Sequence, residues 1–312
     1  MKVCRSFDEI VYNPDTVLTV GTFDGVHLGH GIILNRLVQL AKEDRCRSVL
    51  ATIDPHPRIV LGKDKDNPVQ LLTTIEERIP LFESYGLDNL LVIPFTRKFA
   101  AIPPDVFVRD YLARRIGMKK MLVGYDHMFG KNREGNKDLL DNLGRELAFE
   151  TEQIKAYKEA DITVSSTKIR NNLLSGKIEI ANQLLGYNYF VVGNVIRGDQ
   201  RGRSIGFPTA NIQLADEHKL MPSSGVYLVS SLIDGKKYYG MANIGTRPTF
   251  TDDTAMSTEV HFFDFNDNLY DSKLALSFIK YIRPEQKFAS KEEFILQLKK
   301  DKNNCANTIN SF

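Results

Sequence analysis

Ten residues constrain this chain more than any others: Gly21-Thr22-Phe23-Asp24-Gly25-Val26-His27-Leu28-Gly29-His30. Ahead of them Val17-Leu18-Thr19-Val20 is short, apolar and β-branched, the pattern of a buried strand. Behind them Ile33, Leu34, Leu37, Val38 and Ala41 recur at helical spacing, with Asn35, Arg36, Gln39 and Lys42 between. The stretch is therefore a strand-to-helix turn. Gly21, Gly25 and Gly29 let a ligand approach the backbone, and the helix start offers free N–H groups that suit phosphate. If the helix has begun at His27, then His27 and His30 share a face. No Gly-x-x-x-x-Gly-Lys-Ser/Thr occurs, so this is not a P-loop. Two histidines beside a phosphate nest suit charge stabilisation on a transferring phosphoryl group. A glycine-rich turn with a capping histidine fits the same residues equally well. Zinc fits less well, because no third ligand lies nearby.

Residues 1–160 alternate strand-like and helix-like patterns, as a doubly wound parallel sheet does. The strands expected are 17–20, 48–53, 90–94 and 120–124; the helices are 28–43, 74–86, 103–116 and 136–148. Ligands bind such sheets beyond the carboxyl ends of the strands. There lie Asp54-Pro55-His56-Pro57-Arg58, an extended loop stiffened by two prolines, and Gly124-Tyr125-Asp126-His127-Met128-Phe129-Gly130. Phe99 and Phe107 read as core. Val164-Ser165-Ser166-Thr167-Lys168-Ile169-Arg170 opens another helix. Its hydroxyl-rich start with Arg170 one turn in is either a capped surface helix or a phosphate clamp. Two short amphipathic helices follow, broken at Ser175-Gly176, and the helical pattern ends near 186.

Residues 187–312 change style. Strand-like runs 189–197, 225–233, 236–244, 258–265 and 274–283 have no helices between them, which indicates a small antiparallel barrel. Asp234-Gly235 signals a hairpin, and a last helix over about 290–301 starts with a capping-box pattern. If residues 207–211 are extended, Thr209 and Asn211 point to one side. Two neutral oxygen donors hold Mg²⁺ weakly unless phosphates and water complete the shell; a flexible loop with an Asx turn at Asn211 is the plainer alternative. In Thr258-Glu259-Val260-His261-Phe262-Phe263, Glu259 and His261 share a strand face. A carboxylate at a barrel mouth is a general-base candidate, though an ion-paired edge Glu is simpler.

Length and composition set outer bounds. A chain of 312 residues suggests two domains, and 42% hydrophobic with 26% charged residues is the make-up of a soluble globular protein. Net charge is +2 without a polybasic block, so nothing calls for nucleic acid or anionic membrane. Cys4, Cys46 and Cys305 are scattered and odd in number, which suits a reducing cytosol. The N-terminus lacks a signal-peptide core, and the apolar runs are too short to span a bilayer.

The ten-residue motif resembles the Gly-x-Phe-Asp-Gly-x-His-x-Gly-His signature of the bacterial bifunctional riboflavin kinase/FAD synthetases. The resemblance continues, in the family's order, through Pro55-His56-Pro57, the Gly124–Gly135 segment, Ser165-Ser166-Thr167, the run Gly193 to Asn211, Asn243-Ile244-Gly245-Thr246-Arg247-Pro248, Glu259-Val260-His261 and Arg283-Pro284-Glu285. It departs at His127, where the family has phenylalanine; at Thr163, often arginine; and at Asp271, a turn glycine replaced by a residue that tolerates αL.

The resemblance implies a Rossmann-like nucleotidyltransferase domain over 1–186, linker helices 167–185 included, and a riboflavin kinase β-barrel over 187–312. It implies MgATP-dependent phosphorylation of riboflavin to FMN, then adenylylation of FMN to FAD, in the cytoplasm, by a monomer or weak homo-oligomer. Flavins are then substrate and product, with riboflavin, FMN, FAD and ATP as the partners. Glu259, His27 and His30 would carry catalysis. Gly21, Phe23, Asp24, Gly25, Ser166, Thr167, Arg170, Gly198 and Arg203 would bind ATP. Asp126, Phe129, Asn243 and Arg247 would bind flavin, and Thr209 and Asn211 would hold Mg²⁺. A chain that has kept one activity, or a flavin sensor without turnover, are the rival expectations.

Overall fold

The computed structural model describes residues 1–311 apart from 63–68, 126–127, 156, 160–161, 199–201, 203–204 and 247–255. The chain divides into two compact units, Met1–Ser166 and Thr167–Phe312.

The first unit is built on β1 (Lys2–Cys4), β2 (Thr16–Gly21), β3 (Arg47–Asp54), β4 (Asn89–Pro94), β5 (Lys120–Gly124) and β6 (Glu150–Ile154). All pair in parallel, in the order β1-β4-β3-β2-β5-β6. The four inner strands are the apolar runs expected from sequence. The edges β1 and β6 were missed. β1 is three residues long, and β6 reads ETEQI and is half-exposed, so neither carries the continuous apolar run of a doubly covered strand. Strand order reverses between β2 and β5, which places the ligand crevice beyond Gly21 and Gly124.

Helices α1 (Leu28–Glu43), α2 (Pro57–Leu61), α3 (Ile75–Glu83), α4 (Arg97–Ala100), α5 (Pro104–Val106) and α6 (Lys137–Leu147) cover the sheet. Leu18, Val20, Val49 and Leu91 meet Phe107, Leu112 and Leu140 on one side. Val17, Leu50, Leu90 and Leu122 meet Leu34, Leu37 and Phe82 on the other. The helix expected over 103–116 forms as α5 running into a π-helix, Phe107–Ile116. The Pro-His-Pro segment turns at once into α2, with Pro57 in its first turn and His56 as its cap, rather than staying extended. A small antiparallel ladder, β7 (Lys158–Glu159) with β8 (Ile162–Thr163), closes the unit.

Helix α7 (Ser166–Leu174) leads to α8 (Ile178–Leu185), with Gly176 at φ 71° in the break. Then β9 (Phe190–Ile196), β10 (Ala210–Leu214), β11 (Gly225–Ile233), β12 (Lys236–Thr246), β13 (Met256–Phe262) and β14 (Lys273–Arg283) close a barrel in the order β10-β13-β12-β11-β14-β9. Asp234 (φ 49°) and Gly235 (φ 77°) make the expected hairpin turn, and Asp271 takes φ 65°. The boundary expected near 186 marks where the helical pattern stops. Packing divides the chain earlier, after Ser166, because both helices join the barrel: Ser223 N–H donates to the Leu173 carbonyl at 3.1 Å, and Asn182 Nδ2 to Phe278 O at 2.9 Å.

The last helix, α9 (Lys291–Ile309), runs longer than expected. It is held by Asp301, fully buried, which accepts from Arg283 Nε at 2.9 Å and Nη2 at 2.8 Å and from Gln297 at 2.8 Å.

Candidate active sites

At the end of β2 the chain turns through Phe23 (φ 48°), Gly25 (φ 85°) and Val26 (φ 36°) into α1. Gly21 is glycine for a steric reason: a Cβ there would sit 2.8 Å from Phe23 Cε2. Asp24 is buried. Its carboxylate accepts from the N–H groups of Leu72 (3.1 Å) and Thr73 (2.9 Å) and from the Thr73 hydroxyl, while Gly25 N–H donates to Thr73 Oγ1 at 2.8 Å. The Asp24 side chain thus fastens the turn to the segment before α3.

Helix α1 starts at Leu28, and His27 is its N-cap: Nδ1 accepts the His30 N–H at 3.2 Å. The cap is present, and it folds the His27 ring back onto His30. The rings stack at 3.6 Å, 11° from parallel, with Phe23 4.9 Å from His30. Burial first, then the charges of His27 and Arg78, hold the His30 pKa well below 6.5, so the ring is neutral at pH 7. Its Nδ1 is buried and has no hydrogen-bond partner among the described residues. Ser166, at the start of α7, donates its hydroxyl to the Asp24 carbonyl at 2.9 Å. Thr167 and Arg170 follow on the same helix, one residue and one turn further.

Sequence reasoning passed over Arg78. It is buried on α3, and its guanidinium donates to the Thr22 carbonyl, to Thr52 Oγ1 at 3.1 Å and to Asp54 Oδ1 at 3.2 Å. It ties the motif to the carboxyl end of β3. A single Arg on an amphipathic helix carries no sequence signal, and only burial marks this one. Phe129 lies deep in the core 6.3 Å from Phe107, and its backbone pairs with Gly135. Its ring supports the loop from beneath. Asp126 and His127 lie outside the described residues.

In the barrel, Asn211 on β10 pairs with Glu259 on β13, and Glu259 with Asn243 on β12. Three expected site residues, far apart in sequence, form one rung, and paired residues project to one face. The Thr209 hydroxyl donates to Glu259 Oε2 at 3.5 Å. Gly198 closes over the rung; a Cβ there would sit 2.1 Å from Asn211 Nδ2. Met241 pairs with His261 one step along the same face and packs with Phe207, Phe263 and Cys305 of α9. The rung is therefore on the outer, helix-covered face rather than in the barrel mouth. The Glu285 carboxylate lies against Gly245 beside the Asn243 amide. Arg203 and Arg247 fall outside the described residues, as do Asp199–Arg201 within the loop 197–206.

Residues 10–168 match the family model described as FAD synthetase, and residues 185–309 match riboflavin kinase. A bifunctional riboflavin kinase/FMN adenylyltransferase from Listeria monocytogenes is 39% identical, covering 91% of this chain and 90% of the relative. The chain belongs to this bifunctional family.

Its Escherichia coli K12 relative of the same name is 36% identical over 96% of both chains. A crystal structure described as a macrolide-efflux protein from Streptococcus pneumoniae has TM-score 0.88 and 30% identity, covering 98% of both chains. Among the described residues here, no helix is long and apolar enough to cross a membrane. The FAD synthetase match contains the His27–His30 stack and Ser166. The riboflavin kinase match contains the whole Asn211–Glu259–Asn243 rung. Each family match thus contains a polar cluster of its own, one at a helix start and one on a barrel face.

Proposed function

We propose that the riboflavin kinase half phosphorylates the ribityl hydroxyl of riboflavin with MgATP, and that the FAD synthetase half then transfers AMP from a second ATP to FMN, releasing pyrophosphate. The observation that carries this is the rung: one carboxylate, Glu259, between the amides of Asn211 and Asn243, with the Thr209 hydroxyl against it. Glu259 takes the hydroxyl proton as the oxygen attacks the γ-phosphorus. Asn243 and Arg247 orient the flavin, and Gly198 and Arg203 close over the phosphates. Thr209 and Asn211 offer hard oxygen donors, which suit Mg²⁺. When bound, Mg²⁺ neutralises charge on the ATP phosphates.

In the other half the FMN phosphate is itself the nucleophile, so no protein base is required. His27 and His30 donate to the charge developing on the α-phosphoryl group, and a neutral His30 does so through a ring N–H. Gly21, Phe23, Asp24 and Gly25 shape the turn that holds ATP. Ser166, Thr167 and Arg170 orient the triphosphate, and Asp126 belongs to the flavin side, on a loop that Phe129 supports from the core. This reading assigns 1–186 to adenylylation and 187–312 to phosphorylation, in a cytoplasmic monomer or weak homo-oligomer. The cytoplasmic placement rests on three unpaired thiols.

Incubating the protein with riboflavin, ATP and Mg²⁺ and separating the flavins by chromatography tests it. FMN should rise first and FAD after it. FMN alone would remove the adenylylation assignment, and bound but unchanged riboflavin would remove both.

A further inference from the structure

We infer that His261 is a positioning residue for riboflavin phosphorylation, fixing the Pro208–Thr209 backbone, and so the Thr209 hydroxyl, against strand β13 beside Glu259. The inference rests on the kinase reading above and gives work to a side chain that reading leaves idle.

The geometry is specific. His261 Nδ1 lies 2.8 Å from the Pro208 carbonyl oxygen. A carbonyl only accepts, so Nδ1 carries the proton and donates. Pro208 has no N–H of its own, and the β10–β13 ladder begins only at Ala210. The His261 bond therefore anchors the chain at the last residue before Thr209, outside the ladder. Glu259 is two residues from His261 on the same strand and face, so one short piece of β13 carries both the base and the clamp. The ring cannot swing away: it is 8% exposed, edge-on to Phe207 at 5.1 Å and to Phe263 at 5.9 Å. The 3.5 Å separation of Thr209 Oγ1 from Glu259 Oε2 is at the outer limit of a hydrogen bond. That pair does not hold the segment by itself, whereas the His261 bond is short.

The test compares His261→Leu, which fills space without a donor, with His261→Asn, whose Nδ2 stands the same number of bonds from Cα as histidine Nδ1. His261→Leu should lower kcat for FMN formation by about tenfold to a hundredfold, the scale of an ångström-level misplacement. KM for riboflavin should stay within about twofold, and His261→Asn should recover most of the rate. Titration calorimetry with MgADP gives a readout without turnover: affinity should fall in His261→Leu and return in His261→Asn. FMN adenylylation by the same chain reports on the rest of the molecule and should be unchanged in both. Equal loss in the two variants, or a His261→Leu chain with wild-type kcat and MgADP affinity, overturns the inference. A wild-type chain that makes no FMN would instead refute the kinase reading, and MgADP affinity in the two variants would still decide the role of His261.

Discussion

Ser166 donates its hydroxyl to the backbone carbonyl of Asp24 at 2.9 Å, joining two motifs 142 residues apart. The bond fastens Ser166, the last residue of the first unit, to the glycine-rich turn. Ser166→Ala should cost about 1 kcal/mol here, roughly a fivefold rise in KM for ATP during FMN adenylylation. Steady-state kinetics of both activities will check it; riboflavin phosphorylation should not change.

The presence of one cluster in each unit predicts reciprocal variants. Glu259→Gln removes the carboxylate proposed as proton acceptor and should lower FMN formation by about 10²–10⁴-fold while leaving FMN-to-FAD conversion intact. His30→Ala should do the reverse. Loss of both activities in either variant would refute two independent sites.

Gly21 tests the turn itself. A methyl group there would meet Phe23, whose ring is wedged against His30 and Phe82 and whose backbone is already at φ 48°. Gly21→Ala should destabilise the first unit by about 1–3 kcal/mol, as overpacking does. Denaturant unfolding will measure this, and adenylylation should fall with it.

The anchor of α9 is a buried pair. Asp301→Ala leaves Arg283 without its carboxylate and should cost about 3–5 kcal/mol. Replacing both with apolar residues of similar volume should recover most of that loss, and thermal melts of single and double variants will show it.

His30 makes stability depend on pH in a defined direction. Its folded pKa is depressed, by burial first and then by His27 and Arg78, so the unfolded chain binds the proton more readily. This contribution is complete above pH 6.5 and is lost as pH falls from there toward the folded value. The melting temperature should drop on going from about pH 8 to about pH 5, and His30→Asn should flatten that slope.

Much of this was legible in residue order. Apolar runs marked β2 to β5, and helical periodicity placed α1 over its full length, because both patterns are local consequences of burial on a sheet. Motif spacing named His27, His30, Thr209, Asn211 and Glu259. The edges β1 and β6 escaped because an edge strand is short or polar. Strand β10 was foreseen only as an extended piece around Thr209 and Asn211, because glycine and proline surround it.

The sequence alone determined most of the inner strands and the longer helices, their order and the chemical groups on offer, since these depend on neighbours within a few residues. Only tertiary structure decided which groups meet. Barrel closure set Asn211, Glu259 and Asn243 on one rung. Packing buried Arg78 under the glycine-rich turn and drew α7 and α8 to the barrel. The physical reason is that register and burial are settled by the whole sheet and core at once, through pairings between residues that local pattern cannot connect.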